Sequence, residues 1–216
     1  MDLQPNRNEN VDTGTLRIQL TNRSNGIPVE GAKISVSYTG NPSQIIEEVS
    51  SDDSGNTETL TLDAPPLEYS MQPSEQQPYS EYTIQITAPG YRGITVSAID
   101  ILPGEAAIQN VTMDTEDAPG NPIDTIVIPA HTLYGDYPPK IPEDEIKAMD
   151  ESGEIVLSRV VIPEYVVVHD GAPSDSTAND YYVRYRDYIK NVASSEIYAT
   201  WPAATIRANV LAIMSF

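Results

Sequence analysis

Glu196 is the residue of this chain best placed for acid–base chemistry. Read as one amphipathic helix, Tyr181 to Tyr198 puts Tyr185, Tyr188, Ile189 and Val192 on one stripe and Arg186, Asp187, Lys190, Asn191 and Ser194 opposite. Glu196 follows Ile189 by seven residues and Val192 by four, so it continues the apolar stripe near the helix C-terminus, where the dipole disfavours negative charge. On that reading burial and dipole both favour the protonated form, and a carboxylic acid that keeps its proton serves as a general acid. A second reading stands beside it, in which Glu196 pairs with a base such as Arg207 or sits in water on a frayed helix end.

The other candidates are weaker. His169 closes the apolar run Val166-Val167-Val168, and a lone His at a strand end reads as a hydrogen-bonded structural residue before it reads as a catalyst or metal ligand. His131 lies in a proline-rich stretch. Asp52 and Asp53 hint at calcium, but no further ligands follow at EF-type spacing, and Asp52-Asp53-Ser54-Gly55 reads as a solvated turn. With no cysteine, the chain has no disulfides, zinc–thiolate sites or thiol nucleophiles, and no metal site or cofactor is expected.

Positioning these residues requires a fold, and the composition bounds it. The 216 residues carry 12 Lys+Arg against 32 Asp+Glu, a net charge of −20 that repels nucleic acid and anionic lipid, so neither is an expected partner. A hydrophobic share of 39% allows a small core in one or two domains, and 13 Tyr against 1 Phe and 1 Trp makes the aromatic surface amphipathic. Met1 to Asn10 has no apolar core for a standard signal peptide, and no later run is long enough to span a membrane.

The elements fall into four stretches. Residues 1–13 read as a disordered tail. Residues 14–113 read as a β-sandwich: period-two strands at Thr15 to Leu20, Ala32 to Tyr38, Thr57 to Leu62, Glu81 to Thr87, Gly93 to Ile99 and Ala107 to Met113, with a long loop from Ala64 to Pro78. Residues 114–158 form a proline-rich acidic connector, in which Thr125-Ile126-Val127-Ile128 is apolar enough to pack as an edge strand on one neighbour or the other. Residues 159–216 begin an α+β segment, with a buried strand at Glu164 to Gly171, a helix over Tyr181 to Tyr198, and a second helix capped by Thr200, with Pro202 in its first turn and Ile206, Val210, Ile213 and Met214 as its apolar face. The expected class is mainly β with a small α part: a transthyretin/Ig-like sandwich, a connector, then an α+β segment ending in two helices.

Two resemblances add to this reading. The strings Gly26-Ile27-Pro28-Val29-Glu30-Gly31-Ala32, Ser51-Asp52-Asp53-Ser54-Gly55 and Tyr82-Thr83-Ile84-Gln85-Ile86-Thr87-Ala88-Pro89-Gly90-Tyr91 resemble a carboxypeptidase regulatory-like domain, a spacer or docking sandwich without catalysis of its own. Related collagen-adhesin modules carry a Lys–Asn isopeptide bond, but the first strand offers Arg17 and no Lys, so none is expected. The string Tyr188-Ile189-Lys190-Asn191-Val192-Ala193-Ser194-Ser195-Glu196-Ile197, followed by Trp201-Pro202 and Ile206-Arg207-Ala208-Asn209-Val210, is similar to the opening of the catalytic domain of stage II sporulation protein D (SpoIID), a lytic transglycosylase family whose acid/base Glu stands at the position of Glu196. The whole order resembles the spore cortex-lytic enzymes of the SleC type. The resemblance implies a peptidoglycan lyase precursor of the spore cortex or cell wall that needs no cofactor, acts on glycan strands and is activated by a germination protease. Tyr198 and Trp201 are then candidate substrate-binding aromatics, and Asp150, Ser158, Arg159 and Val160 mark the expected cleavage region.

One departure from the family pattern is the stop at Phe216 inside an apolar helix, where the family's catalytic domain continues, so the sequence reads as a truncated form whose activity is open. Two other functions stay in view: a non-catalytic wall- or surface-binding module with a structural Glu196, and an N-terminal sandwich that acts as an inhibitory or folding partner of the C-terminal half.

Overall fold

The computed structural model describes residues 11–71, 75–120, 123–130, 162–172 and 175–215. The expected cleavage region and His131 lie outside the described residues. The chain divides into two compact units: Met1–Gly135 with Tyr198–Trp201, and Asp136–Ile197 with Pro202–Phe216.

The first unit is a two-sheet β-sandwich, the architecture expected. Strand β1 (Asp12–Asn22) turns Leu16, Ile18 and Leu20, each 0% exposed, toward the interior while Arg17 faces water, the alternation its sequence dictates. It lies between β4 (Leu60–Ala64), antiparallel, and β7 (Ala106–Met113), parallel. The facing sheet runs β3 (Ile45–Ser50), β2 (Lys33–Tyr38), β5 (Ser80–Thr87), β6 (Ile94–Ile101) and β8 (Thr125–Val127), with only the β6–β8 pair parallel. Ile34, Val36, Ile84, Ile86, Val96 and Ile99 from this sheet close on β1, Leu62 and Val111 from the other.

Two features depart from the sequence reading, and a third falls on one of its open alternatives. Strand β3 was not expected, because Ile45-Ile46-Glu47-Glu48-Val49-Ser50 breaks period two; it is an edge strand that buries Val49 alone, and a bulge at Val36/Ser37 shifts its register. The stretch expected as a loop from Ala64 to Pro78 contains a one-turn helix, α1 (Glu68–Met71), anchored where Asp12 Oδ2 accepts the Leu67 N–H at 2.8 Å. The apolar stretch at Thr125, expected as an edge strand on one neighbour or the other, packs on the sandwich as edge strand β8, with Ile126 and Ile128 against the core and Val127 turned to water.

Turn chemistry accounts for the sandwich's punctuation. Asp52 Oδ1 accepts the Ser54 and Asn56 N–H groups at 2.9 and 2.8 Å, so the acidic pair serves its own turn. Gly55 is required there: its φ is +74°, and a Cβ would stand 2.3 Å from the Leu20 carbonyl oxygen. In β6 two residues, Ser97 and Ala98, oppose Thr83 alone, and the bulge puts Ala98 at φ 61°. The Thr39, Thr83 and Ser97 hydroxyls bridge the bulge at 3.0 Å each, and Thr39 Oγ1 accepts the Ala98 N–H at 3.3 Å.

The second unit holds the hairpin β9 (Tyr165–His169) and β10 (Asp180–Arg184), then α2 (Tyr185–Ser194) and α3 (Ala203–Ile213). Here the expected boundaries move. Tyr181 to Arg184 belong to β10 and not to the first helix, because aromatic and β-branched residues find cross-strand partners on β9: Tyr182 opposite Val167, Val183 opposite Val166. The strand expected to be buried is half exposed, with Val167 at 55%. The first helix stops at Ser194, where the Ser194 and Ser195 hydroxyls both donate to the Asn191 carbonyl at 2.9 and 3.0 Å and favour a turn over a further helical step.

Candidate active site

The site is built on the turn that follows α2. Ile189 is buried on the inner face of α2, with Tyr185, Val192 and Ala193 half-buried beside it. Glu196 comes two residues after the helix ends, and the end is tied down by the Glu196 and Ile197 N–H groups donating to Ala193 O at 3.1 and 3.0 Å. Its side chain is exposed. The burial expected from the apolar stripe is therefore absent: the stripe's period holds only while the backbone is helical, and the turn at Ser195 rotates the next side chain off the face.

What the fold supplies instead is a hydrogen bond. Asn209 Nδ2, from α3, donates to Glu196 Oε2 at 2.8 Å. Arg207, the base expected as the alternative partner, is exposed two residues before Asn209 on α3, and the carboxylate takes the amide. Tyr188, Val192, Ala212 and Ile213 join Glu196 in lining a cleft of about 250 Å³, so one carboxylate stands in a mostly apolar wall. The arrangement can deliver or accept a proton at the cleft, with the carboxylate oriented from behind by an amide.

The other sequence-derived candidates are placed as follows. Tyr198 is buried and Trp201 half-buried, both within the first unit, where the Trp201 indole N–H donates to the Ser70 carbonyl at 2.8 Å. Thr200 does not cap α3: its hydroxyl donates to Ser70 Oγ at 2.8 Å, and Pro202 takes the N-cap position without a side-chain bond. His169 Nδ1 lies 2.8 Å from Asp180 Oδ1 and Nε2 lies 3.0 Å from the Ala172 carbonyl. Both partners are acceptors, so the imidazolium satisfies both, and the Asp180 hydrogen bond lifts the His169 pKa above its usual 6.5.

Asn209 was missed as a site residue, although a signal existed. It lies three residues after Ile206 and four before Ile213, a polar residue inside the apolar stripe of α3, and it is half-buried there.

No protein-family model matches the chain, and no curated protein matches it either. Among solved structures it is similar to the Bacillus anthracis TIE protein (18% identity, TM-score 0.33, over 48% of this chain and 17% of that one). It is also similar to the minor pilin of Streptococcus agalactiae (12% identity, TM-score 0.35, over 52% of this chain and 48% of that one) and to the 5-hydroxyisourate hydrolase of Klebsiella pneumoniae (18% identity, TM-score 0.31, over 47% and 90%). The chain thus spans less than half the length of the first two.

Proposed function

We propose that the chain is the precursor form of a peptidoglycan lytic transglycosylase, with Glu196 as the acid/base. The observation that carries the reading is the setting of Glu196: a carboxylate on the turn between α2 and α3, lining an apolar-walled cleft and held at 2.8 Å by an amide from the facing helix. The order of Tyr188, Glu196, Trp201-Pro202 and the Ile206 to Val210 helix is the order of the SpoIID-type motif.

The chemistry asks little more of the protein. Glu196, protonated, donates to the glycosidic oxygen between N-acetylmuramic acid and N-acetylglucosamine as the C1–O bond breaks and the glucosamine leaves with a new hydroxyl. The muramic 6-hydroxyl then closes on C1 and surrenders its proton to the Glu196 carboxylate, which restores the acid. No water enters the product, because the substrate supplies the nucleophile, and a second carboxylate is not needed. The sandwich would be the pro-region, separated from the catalytic part by a germination protease within the connector.

A second reading is favoured by the exposure of Glu196, which suits an ordinary structural carboxylate. In it the protein is a non-catalytic wall- or surface-binding module whose sandwich presents the short helical hairpin, with Glu196 structural. Mass spectrometry of cortex peptidoglycan incubated with the protein, before and after limited proteolysis of the connector, separates the two. Fragments ending in anhydromuramic acid, lost in Glu196→Gln, support the lyase; retention of the protein on the wall with no such ends supports the module.

A further inference from the structure

Catalysis by a single carboxylate requires that its proton sit on the oxygen that faces the substrate. We propose that Asn209 is the positioning residue that enforces this for Glu196, an inference that rests on the acid/base reading above. Asn209 Nδ2 stands 2.8 Å from Glu196 Oε2. An N–H pointed at one carboxylate oxygen occupies the lone pair there, so the proton of the acid form resides on Oε1, the oxygen left for the glycosidic bond. The same contact holds the side chain in one orientation through both halves of the reaction, as acid and then as base, and misplacement of a reacting group is costly.

The rest of the Asn209 side chain argues that the N–H is why the residue is there. Its Oδ1 is buried and has no hydrogen-bond partner among the described residues. A buried carbonyl oxygen without a donor works against folding, and an aliphatic residue at this position of the α3 stripe would avoid that cost. Turning the amide over would not help, because Oδ1 would then face the ionised carboxylate oxygen. The position is thus unfavourable for packing and favourable for holding Glu196, the pattern expected where a local rule is broken at a functional site.

The test has two parts. In the intact protein, the Asn209 side-chain amide is followed by NMR in wild type and in Glu196→Ala. The account expects its nitrogen and proton shifts to move and its hydrogen exchange to quicken when the carboxylate is removed, and an amide signal identical in the two proteins would overturn it. Release of anhydromuramic ends is then measured for wild type, Glu196→Gln, Asn209→Ala and the isosteric Asn209→Asp, the last guarding against a packing defect in the alanine variant. Both Asn209 variants are expected to lose roughly 10- to 100-fold in kcat with KM within about twofold. If Glu196→Gln is inactive while both Asn209 variants keep wild-type kcat, the positioning role falls and the acid/base reading stands. If Glu196→Gln cleaves as well as wild type, or wild type releases no anhydromuramic ends, the acid/base reading falls and takes the positioning role with it.

Discussion

The sandwich and the helical unit are built at opposite levels of burial. In the sandwich, Leu16, Ile18, Leu20, Val36, Ile84 and Val96 are wholly excluded from water and interlock across two sheets. Among the described residues of the helical unit the best-buried side chains are Ile189 and Ile197 at 9% each, α3 buries no residue completely, and Tyr182 and Val167 face solvent at 78% and 55%. Stability therefore resides in the part with no candidate chemistry, and the candidate carboxylate sits where few contacts restrain the chain. In the proposed function an open setting admits a polymeric substrate, and the hydrogen bond from Asn209 supplies locally the order that packing does not.

The contrast can be broken first at its strongest point. Ile84→Ala in β5 deletes buried methyl groups at a fully enclosed site and is expected to cost about 4 kcal/mol in denaturant unfolding, whereas Ile189→Ala in α2 should cost about 2 kcal/mol. Equal losses would show that the two units are packed alike. Gly55→Ala comes next, at about 2 kcal/mol, because the new Cβ meets the Leu20 carbonyl oxygen and φ is +74°; the same change at Gly26, also at positive φ but with open space around it, should cost about 1 kcal/mol.

A smaller effect comes from Asp100, whose carboxyl is pushed up to about 7 by burial first and then by the charge of Glu81, its cross-strand partner. Because the folded value lies above the usual 3.8, the stabilising contribution of the protonated acid is complete below pH 3.8 and is lost as pH rises through about 7. Half-exposure reduces the effect to about 1 kcal/mol. Asp100→Asn should therefore raise the unfolding midpoint at pH 8 and leave it unchanged at pH 3; equal shifts at both would refute the assignment.

The smallest effect belongs to the β9–β10 hairpin. With the His169 pKa raised, its clasp on Asp180 and Ala172 is complete below pH 6.5 and loosens as pH climbs through the raised value. Amide exchange at Asp170, which donates to Asn179 O at 2.9 Å, should quicken across that range in wild type and show no such step in His169→Gln.

The sequence was most legible where period two is strict. Thr15 to Leu20 and Glu81 to Thr87 fall within β1 and β5, since one buried face forces alternation. It misled where tertiary pairing or side-chain hydroxyls outweigh local pattern. Edge strand β3 buries Val49 alone and so has no buried face to force an alternation, while Tyr181 to Arg184 fit a helical stripe until β9 offers them partners. Ser194 and Ser195 end α2 before its stripe reaches Glu196, so the exposure of Glu196 was not legible in the stripe. Asn209 shows the converse: its misfit in the apolar face of α3 was visible, but its partner depends on how α2 and α3 meet.

In the proposed function Glu196 carries the proton that breaks the glycan. The most direct test is the mass of the muramic ends released from cortex peptidoglycan by wild type and by Glu196→Gln, compared at equal thermal stability. Ends one water lighter than a hydrolase would leave are expected with wild type and not with the variant. Undiminished anhydromuramic ends from Glu196→Gln would contradict the proposal.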